Sequence, residues 1–238
     1  MKKVNFDIQD DIIYEDNQII VCNKREGILS QEDDTKDPDM VNLLKDYLKV
    51  KYNKPGNVYL GLVHRLDKRV SGVMVFGKTS KASKRLSEAI REKDFEKEYL
   101  AIASGIITEA KELVDKLEKK NLKAEISGSG KESILKYFPI SIIKINDKDY
   151  SILKVKLVTG RFNQIRAQLA LDGHVLINDF KYGFNPENKE KDYVPLGLYC
   201  VKLSFSHPVT KEKLSFMMNK DLFKFNKYID LEKIYEKW

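Results

Sequence analysis

Residues 58–76 read VYLGLVHRLDKRVSGVMVF. Two apolar runs, Val58–Val63 and Gly72–Phe76, flank the six residues His64-Arg65-Leu66-Asp67-Lys68-Arg69. Short apolar runs of this kind predict buried strands, and the interruption predicts a loop at a sheet edge, where functional side chains tend to be displayed. Asp67 is the sole acid between positions 64 and 85, among Arg65, Lys68, Arg69, Lys78, Lys81, Lys84 and Arg85; seven cations against one anion give +6. Cationic neighbours favour the anionic form of a carboxylate. Such a group can serve as nucleophile or base, or can simply tie its own loop down through salt bridges. This stretch alone favours the tie.

Working outward, Ile19–Asn23 (IIVCN) predicts a strand, with a turn at Glu26-Gly27. Asp37-Pro38 predicts a helix start, with Asp37 as cap, Pro38 as first helical residue, and Val41, Leu44 and Leu48 at helical spacing. Ser80 is expected to cap a helix reaching about Lys93, with Leu86 and Ile90 on one face. Tyr99–Ala103 reads as a strand. Leu135–Ile145 and Tyr150–Leu157 read as a hairpin closed by Asn146-Asp147-Lys148-Asp149. Asn163–Leu171 reads as a short helix stopped by Gly173. Leu198–Phe205 and Leu214–Met218 form a late strand pair around His207-Pro208, and Lys220–Trp238 reads as a helical tail. Residues 106–132 are strongly charged, helix-prone over Glu109–Lys120, and close on Ser127-Gly128-Ser129-Gly130, a surface insert. Strands outnumber helices and join through short turns. The expected class is α+β, a mixed and mostly antiparallel sheet with flanking helices.

The 238 residues are enough to bury a core. Neither a stretch of roughly 20 apolar residues nor an apolar segment within Met1–Asp11 is present, so the reading is of a cytoplasmic protein without membrane contact. Cys22 and Cys200 sit in apolar runs and read as buried thiols. His64, His174 and His207 are scattered, without metal-ligand spacing, so no metal and no cofactor are expected. Net charge is +7 and unevenly spread: residues 1–39 carry eleven acids against five Lys and Arg, a balance of −6, while 64–85 carry the +6 noted above. A concentrated basic face is what a polyanion partner such as RNA requires.

Two further stretches carry chemistry-bearing residues. Thr159-Gly160-Arg161-Phe162-Asn163-Gln164-Ile165-Arg166 runs into a helix, and a helix start with arginines suits a phosphate or carboxylate, or is an ordinary surface helix. Tyr99, in Glu96-Lys97-Glu98-Tyr99-Leu100, reads by itself as a core tyrosine.

Taken together, the segments resemble the RluA family of RNA pseudouridine synthases. Ile12–Asp16 through Val21-Cys22-Asn23-Lys24 and Gly27 is similar to that family's opening strand and loop. Gly61–Asp67 with Ser71-Gly72 resembles its catalytic motif, and Lys97-Glu98-Tyr99 its tyrosine motif. Thr159-Gly160-Arg161, Gln164-Ile165-Arg166, Gly173-His174 and Asp179 to Tyr182-Gly183 resemble its third motif, and Phe205–Pro208 its closing strand. The resemblance implies an isomerase that flips a uridine out of a folded ribosomal or transfer RNA and converts it to pseudouridine. It makes Asp67 the catalytic aspartate, Tyr99 the tyrosine against the base and Arg166 the arginine paired with Asp67. His64, Arg65, Leu66, Arg161 and Gln164 become substrate contacts. It implies one catalytic domain over 1–238, with a core at about 12–218, the insert, the 220–238 tail and no S4 RNA-binding domain, acting as a monomer without an obligate protein partner. The family's third motif has histidines where this chain has Asn163 and Gln168. A non-catalytic RNA-binding protein of the same fold is the principal rival reading. A glycoside hydrolase would need a second carboxylate facing Asp67.

Overall fold

The structure is a computed structural model and describes residues 4–185 and 195–238. The first three residues of the Met1–Asp11 stretch and residues 186–194 of the expected core lie outside it. The chain, expected to form one domain, divides into two compact units: Met1–Glu96 with Cys200–Leu222, and Lys97–Tyr199 with Phe223–Trp238.

In the first unit β1 (Ile12–Glu15), β2 (Ile19–Lys24), α1 (Met40–Lys51), β3 (Gly61–Leu62), β4 (Ser71–Gly77) and α2 (Ser80–Arg91) follow in order. β5 (Phe95–Ser104) begins here and continues into the second unit, where β6 (Lys111–Lys120), β7 (Lys123–Ile126), β8 (Lys131–Ile145), β9 (Lys148–Leu157) and α3 (Gln164–Leu171) follow. β10 (Leu198–Ser206) returns the chain to the first unit for β11 (Lys213–Met217), and the short α4 (Leu231–Glu236) closes the second unit. Among the described residues eleven strands stand against four α-helices, the expected α+β class.

The first unit's strands run in the order β1-β2-β4-β10, with β3 beside β4 and β11 beside β10. β2 and β4 are antiparallel, from Ile19 opposite Gly77 to Lys24 opposite Gly72. Ile19–Cys22 and Val73–Phe76 are fully buried. α1 adds Met40, Leu44 and Leu48 to this core, and α2 adds Ala82 and Leu86. Each leucine or methionine among them removed from water contributes on the order of 1.5–3 kcal/mol. Gly72, at φ +146°, is required where it stands: a Cβ there would lie 2.3 Å from the Cys200 carbonyl oxygen.

Both expected helix caps shift by one or two residues. Asp39, not Asp37, caps α1 by accepting from the Asn42 amide at 3.1 Å, because Asp37 is engaged with the Lys68 ammonium. Thr79, not Ser80, caps α2 through the Ala82 amide at 3.1 Å. Of the expected strand Val58–Val63 only Gly61–Leu62 pairs, along β4.

The second unit orders its strands β5-β9-β8-β6-β7, every pairing antiparallel. The expected β8–β9 hairpin forms, with Asn146 and Asp147 at φ 47° and 62°. Two successive residues at positive φ make the primed turn whose twist matches the strands it joins. The expected helix over Glu109–Lys120 is instead β6. Leu113 and Leu117 alternate with exposed Glu112, Val114, Lys116 and Glu118, a period of two that buries one face. Pairing with β8 and packing against α3 override the helix propensity of Lys and Glu. The insert is therefore part of this unit's sheet. Its turn, Asn121-Leu122, repeats the primed geometry with φ 46° and 62°. A leucine in that region costs roughly 1–2 kcal/mol.

The helical tail is also corrected. Past a 3-10 turn at Lys220–Leu222 the chain is irregular until α4. Phe223 and Phe225 instead pack on Tyr199, with ring centroids 5.0 and 6.4 Å away. No described helix is long and apolar enough to cross a membrane.

Candidate active site

Asp67 lies, as expected, on the loop between β3 and β4, and that loop is held by its backbone on both sides of it. The Ser30 hydroxyl donates to the Leu66 carbonyl at 2.7 Å and accepts from the Leu66 amide at 3.0 Å. One residue past Asp67, the Lys68 carbonyl accepts from the Gly27 amide at 2.8 Å and from the Lys24 ammonium at 3.2 Å. The Asp67 carbonyl takes the Val70 amide at 3.0 Å, closing the turn. Each of these bonds is made to the backbone of the loop, which fixes where the Asp67 side chain is rooted.

Lys24 is the member of this set that the reading of site residues missed. It ends a strand whose six residues are all buried and is itself fully buried. Its ammonium donates to three carbonyls, those of Arg25 (3.1 Å), Ile28 (2.7 Å) and Lys68 (3.2 Å). Burial pushes its pKa down to about 7, against the upward pull of Asp67 and Glu26. A lysine closing an otherwise apolar strand was the available sequence signal.

The sign of the resulting pH effect follows from the lowered value. Between about 7 and the ordinary 10.5 the unfolded chain holds a proton that the folded one has released. Folding is therefore penalised below about 7 and the penalty fades as pH rises through that window. We expect wild type to gain stability over Lys24→Met with rising pH, by at most about 1.4 kcal/mol per unit. Denaturant melts of both proteins from pH 7 to 10 check this; parallel pH profiles would show that Lys24 does not titrate there. Lys24→Met should also lower turnover by at least about tenfold through a loosened loop.

Other expected residues of this segment divide by exposure. Arg65 is exposed, able to meet a nucleotide. His64 is buried, its Nε2 accepting from the Val75 amide at 3.1 Å and its ring 5.4 Å from Phe95. Leu66 is buried too. Both pack inward beside the loop. Part of the basic face expected over 64–85 is met by partners within the unit, while Arg65, Lys81 and Lys84 are exposed. Lys68 pairs with Asp37, Arg69 with Glu26 and Lys78 with Glu15, while Arg85 donates to the Pro208 carbonyl. The acidic 1–39 segment supplies all three carboxylates. Although Glu15 is partly buried, bonds from Lys51, Lys78 and Tyr52 hold its carboxyl down at about 2.

In the second unit Tyr99 is buried on β5, opposite Val155 of β9. Arg166, also buried, projects from α3, and its Nε and Nη2 donate to the two oxygens of Asp179 at 2.8 and 2.7 Å. Asp179 is wholly enclosed. This planar two-bond clamp fixes the guanidinium's orientation. Tyr182 lies under it, the guanidinium carbon 5.2 Å from the ring centroid. The Tyr182 hydroxyl accepts from Asn163 Nδ2 at 3.1 Å and from the Ala124 amide of β7 at 2.8 Å. Asp179 and Tyr182 were quoted in the resemblance but given no role there.

Arg161 is exposed and donates to the Glu132 carbonyl at 3.1 Å. Gln164 is buried and internal: its Oε1 accepts from the Thr159 hydroxyl and the Arg161 amide, both at 2.9 Å, and its Nε2 donates to Gln168 Oε1. It fastens the start of the helix. Gln168 Nε2 in turn donates to Asp115 at 2.6 Å and the Ser133 carbonyl at 3.1 Å. Gln168 thus donates twice from one nitrogen while its oxygen accepts, a combination a single imidazole nitrogen cannot supply. Asn163 and Gln168, departures from the family pattern, fasten α3 to the β6–β8 part of the sheet.

Residues 18–171 match the family model described as RNA pseudouridylate synthase. The chain belongs to the RluA-type RNA pseudouridine synthases. Such a synthase is an isomerase, and Asp67, Tyr99 and Arg166 all fall within the matched residues. The ribosomal large subunit pseudouridine synthase D of Vibrio cholerae is 32% identical over 225 residues, 88% of this chain and 67% of that protein. The protein of the same description from Haemophilus influenzae is 31% identical over 221 residues, 85% and 65% of the two chains. The chain thus spans about two thirds of the length of these curated relatives. Human RNA pseudouridylate synthase domain containing 1 superposes with a TM-score of 0.71 at 20% identity, covering 95% of this chain and 93% of that one, a likeness of fold.

Proposed function

We propose that this synthase isomerises uridine in large-subunit ribosomal RNA, with Asp67 as nucleophile, Arg166 as its ionic partner and Tyr99 as the group that moves a proton. The observation that carries the assignment of Asp67 is the clamped loop: bonds to its backbone from the Ser30 hydroxyl, the Gly27 amide and the Lys24 ammonium, on either side of Asp67. The choice of RNA rests on relatives described as ribosomal large subunit synthases.

The reaction balances without a cofactor. The C1′–N1 glycosidic bond breaks, the base turns, a C1′–C5 bond forms, the C5 proton leaves and N1 gains one. A carboxylate bonded transiently to C6 tethers the detached base, and one bonded to the anomeric carbon protects the ribose from capture by water until C5 attacks. Arg166, oriented by Asp179, aims the Asp67 carboxylate. Tyr99 relays the C5 proton. The uridine is turned out of its stack first, because its reacting atoms are unreachable within one. Arg65 and Arg161 contact the flanking phosphates. Both units belong to one catalytic domain, which acts as a monomer in the cytoplasm.

Pseudouridine mapping in RNA from cells with and without the protein tests this. Loss of one or a few large-subunit sites is expected. A loss confined to transfer RNA would move the substrate, and unchanged maps would overturn the reading.

A further inference from the structure

The β6–β7 hairpin tip, Lys119-Lys120-Asn121-Leu122-Lys123, has features its own fold does not repay. Leu122 is held at φ 62°, where glycine is the favoured residue, yet it is 66% exposed and so buries little in return. Lys120 and Lys123 stand directly opposite each other across the ladder, a like-charge pair that opposes hairpin closure. The next pair down that face, Glu118 and Glu125, offsets it only diagonally. On the other face the Lys119 ammonium lies 4.9 Å from the centroid of Phe162, and the Lys181 ammonium lies 5.6 Å from the same ring. Phe162 is half-buried against Leu117, Ala124 and Ala167, which hold it in place. The tip thus combines exposed ammonium groups, an anchored aromatic ring and a projecting apolar side chain. Single-stranded nucleic acid uses that combination: phosphates meet cations, and bases lie on aromatic and apolar side chains.

We propose that the 119–123 tip, with Phe162 and Lys181, grips single-stranded RNA flanking the target uridine. Lys119, Lys120, Lys123 and Lys181 meet phosphates, while Leu122 and Phe162 meet bases. A polyanion relieves the Lys120–Lys123 repulsion, and a base covers the exposed leucine. The assignment deepens the RNA-modifying reading and rests on it.

Fluorescence anisotropy tests it, with the full chain binding a labelled oligouridylate and an unmodified large-subunit ribosomal RNA transcript over a salt series. Leu122→Gly relieves the strained turn, so its melting temperature should equal or exceed that of wild type while both RNAs bind about tenfold more weakly. A purely structural leucine would not separate the two readouts in that direction. The triple variant Lys119→Ala, Lys120→Ala, Lys123→Ala should lower the slope of log affinity against log salt by about 2, near 0.7 per phosphate. Variants that bind within about twofold of wild type, with an unchanged slope, overturn the grip and leave the RNA reading standing. Wild type that binds neither RNA overturns the reading itself. Weakened oligouridylate binding with intact transcript binding would overturn the grip as an element of substrate recognition.

Discussion

Asp67→Asn should abolish pseudouridine formation, by at least about a thousandfold, while the chain folds and binds RNA as before. The substitution keeps size and shape and removes only the charge and nucleophilicity. The loop around it should not move, because the Leu66 and Lys68 peptides on either side are held by Ser30 and Lys24. Release of tritium from C5 of uridine in a single turnover measures the chemical step alone. Wild-type rates in the variant would exclude the carboxylate from covalent chemistry.

Arg166→Ala should be the most damaging change to the second unit. It strands Asp179, fully enclosed, without the two bonds it accepts at 2.7 and 2.8 Å. Breaking a buried pair from one side costs about 3–5 kcal/mol. We expect a large fall in urea midpoint and, where the variant is still folded, a turnover reduced at least about a hundredfold. Arg166→Lys separates the two effects. It keeps the charge but not the planar fork, so it should recover much of the stability and little of the turnover. Full single-turnover activity in either variant would detach Arg166 from Asp67.

The sequence made β2 and β4 of the first unit legible because they are buried on both faces. Ile19–Cys22 and Val73–Phe76 are continuous apolar runs, all fully buried. Asp67 was legible as a lone acid on a loop between such strands. The β6 strand was not. Its charged residues favour a helix locally, and the two leucines that mark its period of two matter only once β8 and α3 are there to cover them. The charge balance misled in part, for a similar reason. Lys68, Arg69 and Lys78 look like a basic face in a string of letters, but Asp37, Glu26 and Glu15 come from distant positions to meet them. Gln164, His64 and Leu66 sit in motif positions yet face inward. Burial depends on the direction a side chain takes at a turn, which sequence spacing does not specify. Lys24 was hidden by the assumption that lysines are solvated; its three carbonyl partners explain the exception.

The central claim is that one carboxylate on a clamped loop acts at a uridine turned out of its strand. A crystal structure of the Asp67→Asn protein bound to its unmodified RNA tests that most directly. We expect the uracil unstacked, with C1′ or C6 within about 3.5 Å of the residue 67 side chain. A target uridine still stacked in the RNA, or one lying against a different carboxylate, would contradict it.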